Sequence, residues 1–107
     1  MSELEIVKEI LGKPYHETEY GLIYNSDCKV ALQKLKGHSI VNCTITSPPY
    51  NIGKEYESVM PYQEYVKWLT DVFSLTKNIT KDNGSLLLNV GYLSIENVGQ
   101  AVPITYL

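Results

Sequence analysis

The sequence predicts an α/β fold in which parallel strands are joined by crossover helices, and three observations support it. Residues 40–46 are rich in β-branched side chains, and residues 85–91 form a short apolar run; both compositions are typical of strands in a parallel sheet. Between them, apolar residues recur every three or four positions, which predicts a helix with one apolar face. Two strands joined by a helix pair in parallel with a right-handed crossover. The apolar helical positions are Tyr62, Tyr65, Val66, Leu69, Val72, Phe73, Thr76 and Ile79.

The N-terminal elements extend this arrangement. Apolar residues within positions 4–11 predict a short amphipathic helix that Gly12 can end. Residues 21–24 predict a strand, and residues 29–35 predict a second helix. Because this helix connects the strand at 21–24 to the strand at 40–46, we expect those two strands to pair in parallel as well.

The βαβ unit in the second half has predictable boundaries. Its helix should run from about residue 63 to residue 80, and Pro61 suits the start of a helix. Residues 81–84, Lys-Asp-Asn-Gly, predict a turn before the strand at 85–91. We expect the strands at 40–46 and 85–91 to be mostly buried, because strands of a parallel sheet are covered on both faces.

Length and charge limit the functions that this chain can have alone. Its 107 residues allow one small domain. The formal net charge is −3, and all nine basic residues are lysines. Proteins that bind nucleic acids neutralise phosphates with lysine and arginine, and they commonly read base edges with arginine. Recognition of a DNA sequence would therefore have to come from another segment.

Cysteine spacing and hydropathy set further limits. Cys28 and Cys43 lack the spacing of a metal site, so we predict no metal and interpret both as reduced core residues of a cytoplasmic protein. The N-terminus does not have the pattern of a signal peptide. No apolar run approaches the ~20 residues that a membrane-spanning helix needs, so we expect no membrane association.

Residues 46–50, Thr-Ser-Pro-Pro-Tyr, are the most informative segment and follow a predicted strand. Each proline fixes its own φ and disfavours helical backbone before it, so the carbonyls of Ser47 and Pro48 would be rigid acceptors. Acceptors that draw the hydrogens of an exocyclic amino group would free its lone pair to attack a methyl donor. Tyr50 would stack on a base extruded from a duplex. The alternative interpretation is a Pro-Pro turn that closes a strand, with Tyr50 as a loop aromatic.

The same residues resemble the catalytic motif of amino-group DNA methyltransferases, which transfer a methyl group from S-adenosylmethionine to cytosine N4 or adenine N6. That motif is an acidic, amide or hydroxyl residue followed by two prolines and an aromatic residue, and Ser47, Pro48, Pro49 and Tyr50 match it. Residues 51–57 look like the stretch that follows the catalytic loop in bacterial restriction–modification enzymes. The resemblance covers nearly the whole chain. It implies a partial Rossmann-like methyltransferase sheet, DNA as the partner and, from the serine form of the motif, cytosine N4 as the target.

Other positions at predicted strand ends are further candidates. Asp27 looks like the family's strand-end aspartate near the cofactor, and its alternative role is the N-cap of the helix at 29–35. Asn89 and Gly91 fall at the carboxyl edge of the next strand. A glycine there could let a base or cofactor approach the backbone, but a simple strand-ending glycine is the preferred explanation.

The family's cofactor loop, an aromatic-x-Gly-x-Gly turn, is absent, because no two of the seven glycines form Gly-x-Gly. The resemblance therefore implies a single incomplete methyltransferase domain over residues 1–107, with the catalytic-loop half and without the cofactor glycine loop or the target-recognition region. Residues 95–107 look like the start of a segment that continues in full-length relatives, so we expect the first third of a methyltransferase. A sheet with an open edge predicts marginal stability and a tendency to associate.

Several functions are compatible with these observations. The preferred one is a fragment of a cytosine-N4 DNA methyltransferase, and the adenine-N6 enzyme is one alternative. Another is an inactive remnant or split subunit that needs a C-terminal fragment in trans. A proline-rich ligand for aromatic-groove domains is disfavoured, because the segment has no further proline. Methyltransferases that act on glutamine usually begin this loop with asparagine, where this chain has Ser47.

Overall fold

The computed structural model describes residues 1–48 and 60–89, together with the backbone of two later strands at 92–95 and 100–103. These parts contain three helices and six strands, and the strands pair in three separate two-stranded sheets. In chain order the elements are α1 (Glu3–Leu11), β1 (His16–Thr18), β2 (Gly21–Ile23), α2 (Cys28–Leu35), β3 (Val41–Thr46), α3 (Tyr62–Asn78), β4 (Thr80–Leu88), β5 (Tyr92–Ile95) and β6 (Gln100–Pro103). The fold is α/β with a small parallel sheet, as predicted at that level.

The predicted βαβ unit of the second half is confirmed. β3 and β4 pair in parallel, and α3 lies between them in sequence. Their register runs from Cys43 opposite Ser85 to Thr46 opposite Leu88. A parallel pair needs a crossover connection, and α3 provides it. The segment that follows β3 therefore leaves the sheet at the edge where β4 also ends.

The expected parallel pairing of residues 21–24 with β3 is wrong. β2 pairs antiparallel with β1, with Thr18 opposite Gly21, so a short hairpin precedes α2. The amide of Tyr20 in its two-residue loop donates a hydrogen bond of 3.2 Å to Thr18 Oγ1. Joining neighbouring strands through a loop this short costs less chain entropy than bringing distant strands together.

The predicted turn at 81–84 is also wrong, because β4 begins at Thr80 and runs through these residues. These four residues, whose composition is typical of turns, instead lie where the β3–β4 ladder is irregular. Val41 lies opposite Thr80, whereas Cys43 lies opposite Ser85, so the register shifts by several residues at this point. Extra residues in one strand disrupt a ladder locally, and glycine is favoured there.

The core is formed mainly by α3. The buried hydrophobic residues of the described segments are Leu35, Tyr65, Leu69, Val72 and Ile79. Trp68 and Phe73 are partly buried and pack against Tyr65 and Leu69. The predicted apolar face of α3 is therefore confirmed, with the helix beginning and ending within two residues of its predicted bounds.

The expectation that the two parallel strands are mostly buried is wrong. Ile45 is 77% exposed, and Leu87, directly opposite it, is 54% exposed. Successive side chains of a strand point to opposite faces. Thr44 and Thr46, which alternate with Ile45, are half-buried in a cleft that Val72 of α3 also lines. Helices among the described residues thus cover one face of the sheet, and a parallel strand is fully buried only when both faces are covered.

Both cysteines are free and exposed, so the prediction that they are core residues is wrong. Cys28 is the first residue of α2, and Cys43 lies on the exposed face of β3 two residues from Ile45. The β-branched neighbours of Cys43 suggested burial, but the uncovered face of the sheet leaves its side chain accessible.

The ends of α1 follow the expected rules. Ser2 and Glu5 form a capping box, and Gly12 ends the helix with a φ of 84°. Glu3 binds Lys81 of β4 at 2.8 Å, and Lys8 binds Glu17 of β1 at 3.0 Å. These ion pairs connect α1 to the β1–β2 hairpin and to the parallel β3–β4 sheet, although exposed pairs contribute little to stability. Within residues 1–48 and 60–89, no helix is long and apolar enough to cross a membrane.

Candidate active site

The candidate catalytic segment begins where β3 ends. Ser47 follows Thr46 directly and is exposed, whereas Pro48 is buried. Ligands of open α/β sheets bind beyond the carboxyl ends of the strands, and Ser47 lies at that position. Pro49 and Tyr50, the other two predicted catalytic residues, lie outside the described residues.

The end of β3 is held by the neighbouring strand. The backbone N–H of Asn89 donates a hydrogen bond of 3.0 Å to the carbonyl oxygen of Thr46. Asn89 is the residue after β4, so the parallel ladder continues one step beyond the strand itself. The predicted position of Asn89 at the carboxyl edge beside the candidate segment is therefore confirmed, while Gly91 lies outside the described residues.

A cleft of about 370 Å³ adjoins this edge. Its volume is in the range of small-molecule sites in proteins, and most of its lining is apolar with a few hydroxyl groups and a thiol. One lining residue, Tyr24, donates a hydrogen bond of 2.7 Å from its hydroxyl to the carbonyl of Gly12. The lining residues come from α2, β3, α3 and the connection before α2, and they are Tyr24, Ser26, Cys28, Ala31, Leu32, Thr44, Ile45, Thr46, Val72 and Thr76.

Sequence reasoning did not identify this cleft. Val72 and Thr76 were predicted as part of the apolar face of α3, and Thr44 as part of a buried strand. The sequence did contain one signal for the cleft: side chains alternate along β3, so Thr44 and Thr46 lie on the same face of the strand. Thr76 is buried and donates its hydroxyl to the carbonyl of Val72 at 2.9 Å, so it contributes its methyl group more than its hydroxyl to the cleft.

Asp27 forms the N-cap of α2. Its Oδ1 accepts a hydrogen bond of 2.8 Å from the backbone N–H of Lys29, which satisfies one of the unpaired amides of the first turn. Its neighbours Ser26 and Cys28 line the cleft. The capping role is therefore confirmed, and a contact between Asp27 and a cofactor stays a prediction.

An ion-pair cluster connects the two helices beside the cleft. Asp71 of α3 binds Lys67 at 2.9 Å and Lys29 of α2 at 3.4 Å. Hydrogen bonding to Lys67 is the main reason that the pKa of Asp71 lies below its usual value, and Lys29 adds to the effect. The spacing of Lys67 and Asp71 on one helix could have indicated their pairing, but nothing in the sequence indicated Lys29. No group of three or more metal-ligating side chains occurs in the described part of the chain.

Comparison with known proteins identifies the family. A family model described as DNA methylase, of the N6 and N4 type, matches residues 41–104. The chain belongs to this DNA methylase family. The match contains β3, the candidate catalytic segment, α3 and β4, so the predicted resemblance to amino-group DNA methyltransferases of restriction–modification systems is confirmed.

The similar curated proteins are all longer than this member of the DNA methylase family. The type II methyltransferase M.ScaI of Streptomyces caespitosus is 45% identical over 106 residues, which are 99% of this chain and 34% of that protein. M.BglII of Bacillus subtilis is 34% identical over 82 residues, covering 77% of this chain and 22% of the relative. The chain therefore spans about a third or less of the length of these relatives. No solved structure matches it.

Proposed function

We propose that this chain supplies the catalytic segment of a site-specific DNA methyltransferase that transfers a methyl group from S-adenosylmethionine to the exocyclic amine of a flipped base, with cytosine N4 as the target. The observation that carries the proposal is the position of Ser47 and Pro48 at the carboxyl end of β3, inside the region that matches the DNA methylase family. Ligand sites of α/β sheets form at that edge.

Ser47 and the Pro48 carbonyl would accept hydrogen bonds from the target amine. An exocyclic amine shares its lone pair with the base ring, so it is a weak nucleophile until its hydrogens are drawn out of the ring plane. Preorganised acceptors stabilise that geometry at no cost of reorganisation during the reaction. Tyr50 would hold the flipped base by stacking.

The residues of this chain fit part of a cofactor site. The cleft beside β3 has apolar walls and the hydroxyls of Ser26 and Thr46, a combination that would suit the adenosine part of the cofactor. S-adenosylmethionine supplies the electrophilic methyl group. Asp27 would contact the cofactor beside its capping role. The sequence contains no Gly-x-Gly loop, so further cofactor contacts would have to come from a segment other than residues 1–107.

The proposal places the chain within a partial Rossmann-like sheet as one incomplete methyltransferase domain. The length of the relatives favours a second candidate function, a split subunit that is active only with a C-terminal fragment in trans. Both candidates use the same residues in the same roles. They differ in whether the chain methylates DNA alone.

The test measures incorporation of labelled methyl groups into DNA by the purified chain, alone and co-expressed with the part of M.ScaI outside the matched third. Mass spectrometry of the nucleosides distinguishes N4-methylcytosine from N6-methyladenine. Ser47→Ala should reduce transfer by at least about 100-fold, as loss of one preorganised group does. Ser39→Ala, a matched change at an exposed serine before β3, should leave transfer unchanged. Equal turnover of the two variants would remove Ser47 from the mechanism.

A further inference from the structure

Tyr24 connects the cleft to the end of α1. Its side chain is half-buried and lines the cleft of about 370 Å³, and its hydroxyl donates a 2.7 Å hydrogen bond to the carbonyl oxygen of Gly12. That distance is the usual one for a hydroxyl bonded to an oxygen. Gly12 ends α1, and no described residue of α1 lines the cleft. The bond therefore joins the wall of the cleft to a helix that lies outside it.

The acceptor of this hydrogen bond has a fixed position. The backbone N–H of Gly12 donates a 2.9 Å hydrogen bond to the carbonyl of Lys8, in the last turn of α1. Gly12 has a φ of 84° and a ψ of −156°, a backbone conformation that is essentially restricted to glycine. The carbonyl that binds Tyr24 is thus oriented both by the helix and by a conformation that other residues adopt only with strain.

The backbone before Tyr24 is fixed as well. The N–H of Tyr15 donates a 2.8 Å hydrogen bond to the carbonyl of Ile23, next to the pairing of His16 with Ile23 in the β1–β2 hairpin. The segment after α1 and the segment before α2 therefore run side by side. Tyr24 is held at both ends of its side chain, because the hairpin restrains its backbone and Gly12 restrains its hydroxyl.

α1 is otherwise attached mainly through its surface. All of its residues are described, and none is buried. Its ion pairs, Glu3 with Lys81 and Lys8 with Glu17, are exposed, and such pairs contribute little to stability. The hydrogen bond from Tyr24 is thus a specific connection through which α1 can affect the shape of the cleft.

We propose that Tyr24 is a positioning residue for S-adenosylmethionine, because its hydrogen bond to Gly12 holds its ring in place as one wall of the cleft. α1 then contributes to cofactor affinity without contacting the cofactor. This inference rests on the proposed function, since it takes S-adenosylmethionine to be the ligand of the cleft. Tyrosine suits the role because it combines an apolar ring with a polar tip.

The proposal distinguishes the ring of Tyr24 from its hydroxyl. The hydroxyl proton is used in the bond to Gly12, so the ring is what the tyrosine presents to a ligand. Tyr24→Phe keeps the ring and removes the bond. If the ring acted only by filling space, this variant would bind the cofactor as the unmodified chain does. A loss of affinity in Tyr24→Phe therefore reports the position of the ring.

The first experiment measures S-adenosylmethionine binding by isothermal titration calorimetry to the assembly of this chain with the part of M.ScaI outside the matched third. Tyr24→Phe should weaken binding by about three- to tenfold, the effect of one neutral hydrogen bond. The KM for the cofactor should rise by a similar factor while kcat changes little. Tyr15→Phe is the matched control, because Tyr15 is 76% exposed and lies outside the cleft lining, and it should bind normally.

Urea unfolding of the same variants separates positioning from stability alone. A purely structural hydrogen bond would lower the unfolding midpoint of Tyr24→Phe and leave the affinity of the folded assembly unchanged. Unchanged affinity would therefore overturn this inference, and it would leave the proposed function intact.

A double-mutant cycle tests whether Tyr24 acts through Gly12. Gly12→Ala introduces strain at the acceptor, and no atom lies within 4 Å of the added Cβ, so the change acts on the backbone and not through a steric clash. Gly12→Ala should weaken cofactor binding, and adding Tyr24→Phe should weaken it little further, because both changes break one bond. Fully additive losses would contradict the connection. If Gly12→Ala does not fold, the binding and thiol measurements on Tyr24→Phe decide the matter.

Thiol modification of the chain alone tests the position of Tyr24 without any cofactor. Cys28 lines the cleft, whereas Cys43 is exposed outside its lining, so Cys43 is an internal control. Modification by iodoacetamide, followed by mass spectrometry, should be at least about threefold faster at Cys28 in Tyr24→Phe, because a released ring opens the cleft locally. The rate at Cys43 should not change. Equal Cys28 rates in Tyr24→Phe and the unmodified chain would overturn the proposal.

The two measurements together separate this inference from the proposed function. Faster Cys28 modification in Tyr24→Phe, with no S-adenosylmethionine binding by the unmodified assembly, would keep Tyr24 as a positioning residue of the cleft and contradict the proposed function. Cofactor binding with equal Cys28 rates would support the proposed function and remove Tyr24 from the positioning role.

Discussion

The backbone N–H of Asn89 donates a 3.0 Å hydrogen bond to the carbonyl oxygen of Thr46, and this is the last step of the β3–β4 ladder before Ser47. Thr46 ends β3, and Asn89 follows the end of β4. The bond therefore determines where the candidate catalytic segment leaves the sheet. Its donor is a backbone group, so the side chain of residue 89 can change without loss of the bond.

Asn89→Pro removes that donor, and proline also keeps the preceding residue in the extended conformation that β4 already has. We expect the loss to cost about 1 kcal/mol in stability. Methyl transfer in the reconstituted assembly should fall further, by roughly 100-fold, because small displacements of reacting groups have large effects on rate. The measurement is the rate of labelled methyl incorporation beside a urea unfolding curve.

Asn89→Ala is the matched control, because it keeps the backbone N–H while removing the side chain. Its unfolding midpoint and methyl transfer should stay close to those of the unmodified chain. A large loss of transfer in Asn89→Ala would instead assign the side chain a direct role at the site.

Gly84 lies at the register shift of the sheet, and its space is restricted. A Cβ at this position would lie 2.9 Å from the carbonyl oxygens of Asn42 and Lys81 and would contact the side chain of Thr80. Gly84→Ala should therefore destabilise the chain by about 1–3 kcal/mol, as overpacked substitutions do. Gly21→Ala is the control, because no atom lies within 4 Å of the added Cβ. Chemical unfolding of both variants checks the prediction, and equal midpoints would contradict the tight packing at Gly84.

Sequence patterns predicted the helices better than they predicted which strands pair or which residues are buried. The apolar residues of α3 recur at the period of an α-helix, so the sequence alone predicted the helix within two residues at each end. β2 has only three residues, and nothing in Gly21–Ile23 specifies whether it pairs with β1 or with β3. The composition of residues 81–84 favours a turn and an irregular strand equally, because both use glycine and asparagine.

The burial of the strands and the residues of the candidate site could be predicted only in part, because both depend on contacts between elements that are distant in sequence. The composition around Ile45 suits a sheet covered on both faces, whereas the described helices cover one face. Ser47 and Pro48 were placed correctly at a strand end, because a β-branched run followed by prolines defines that end. The cleft requires contacts between α2, β3 and α3, and single-sequence periodicity contains no information on those contacts.

Leu69 and Leu87 offer a direct comparison of the covered and uncovered parts of the molecule. Leu69 on α3 is 2% exposed and packs in the core cluster, whereas Leu87 on β4 is 54% exposed. Leu69→Ala should cost about 2–5 kcal/mol, and Leu87→Ala less than about 1 kcal/mol, since only the first leaves a cavity. Urea unfolding followed by circular dichroism measures both. Similar losses would mean that the exposed face of the sheet is covered in solution.

The lowered pKa of Asp71 predicts that the stability of the chain depends on pH. Its folded-state pKa is lowered from a reference of 3.8, mainly by hydrogen bonding to Lys67 and then by Lys29. A lowered carboxyl pKa contributes stability that is fully present above 3.8 and is lost as the pH falls through the folded-state value. The melting temperature of the unmodified chain should therefore exceed that of Asp71→Asn near neutral pH, and the two should converge in acid. Asp82→Asn, an equal charge change away from this cluster, should show no such convergence.

Asp27 has two possible functions that substitutions can separate. Asparagine caps helices about as well as aspartate, so Asp27→Asn keeps the acceptor for the Lys29 amide and removes only the charge, whereas Asp27→Ala should destabilise α2 by about 1 kcal/mol. If the carboxylate also binds the cofactor, Asp27→Asn should retain the unfolding midpoint while weakening S-adenosylmethionine binding to the reconstituted assembly, measured by isothermal titration calorimetry. Unchanged binding in Asp27→Asn would restrict Asp27 to capping, because the variant lacks the charge that a cofactor contact through the carboxylate requires.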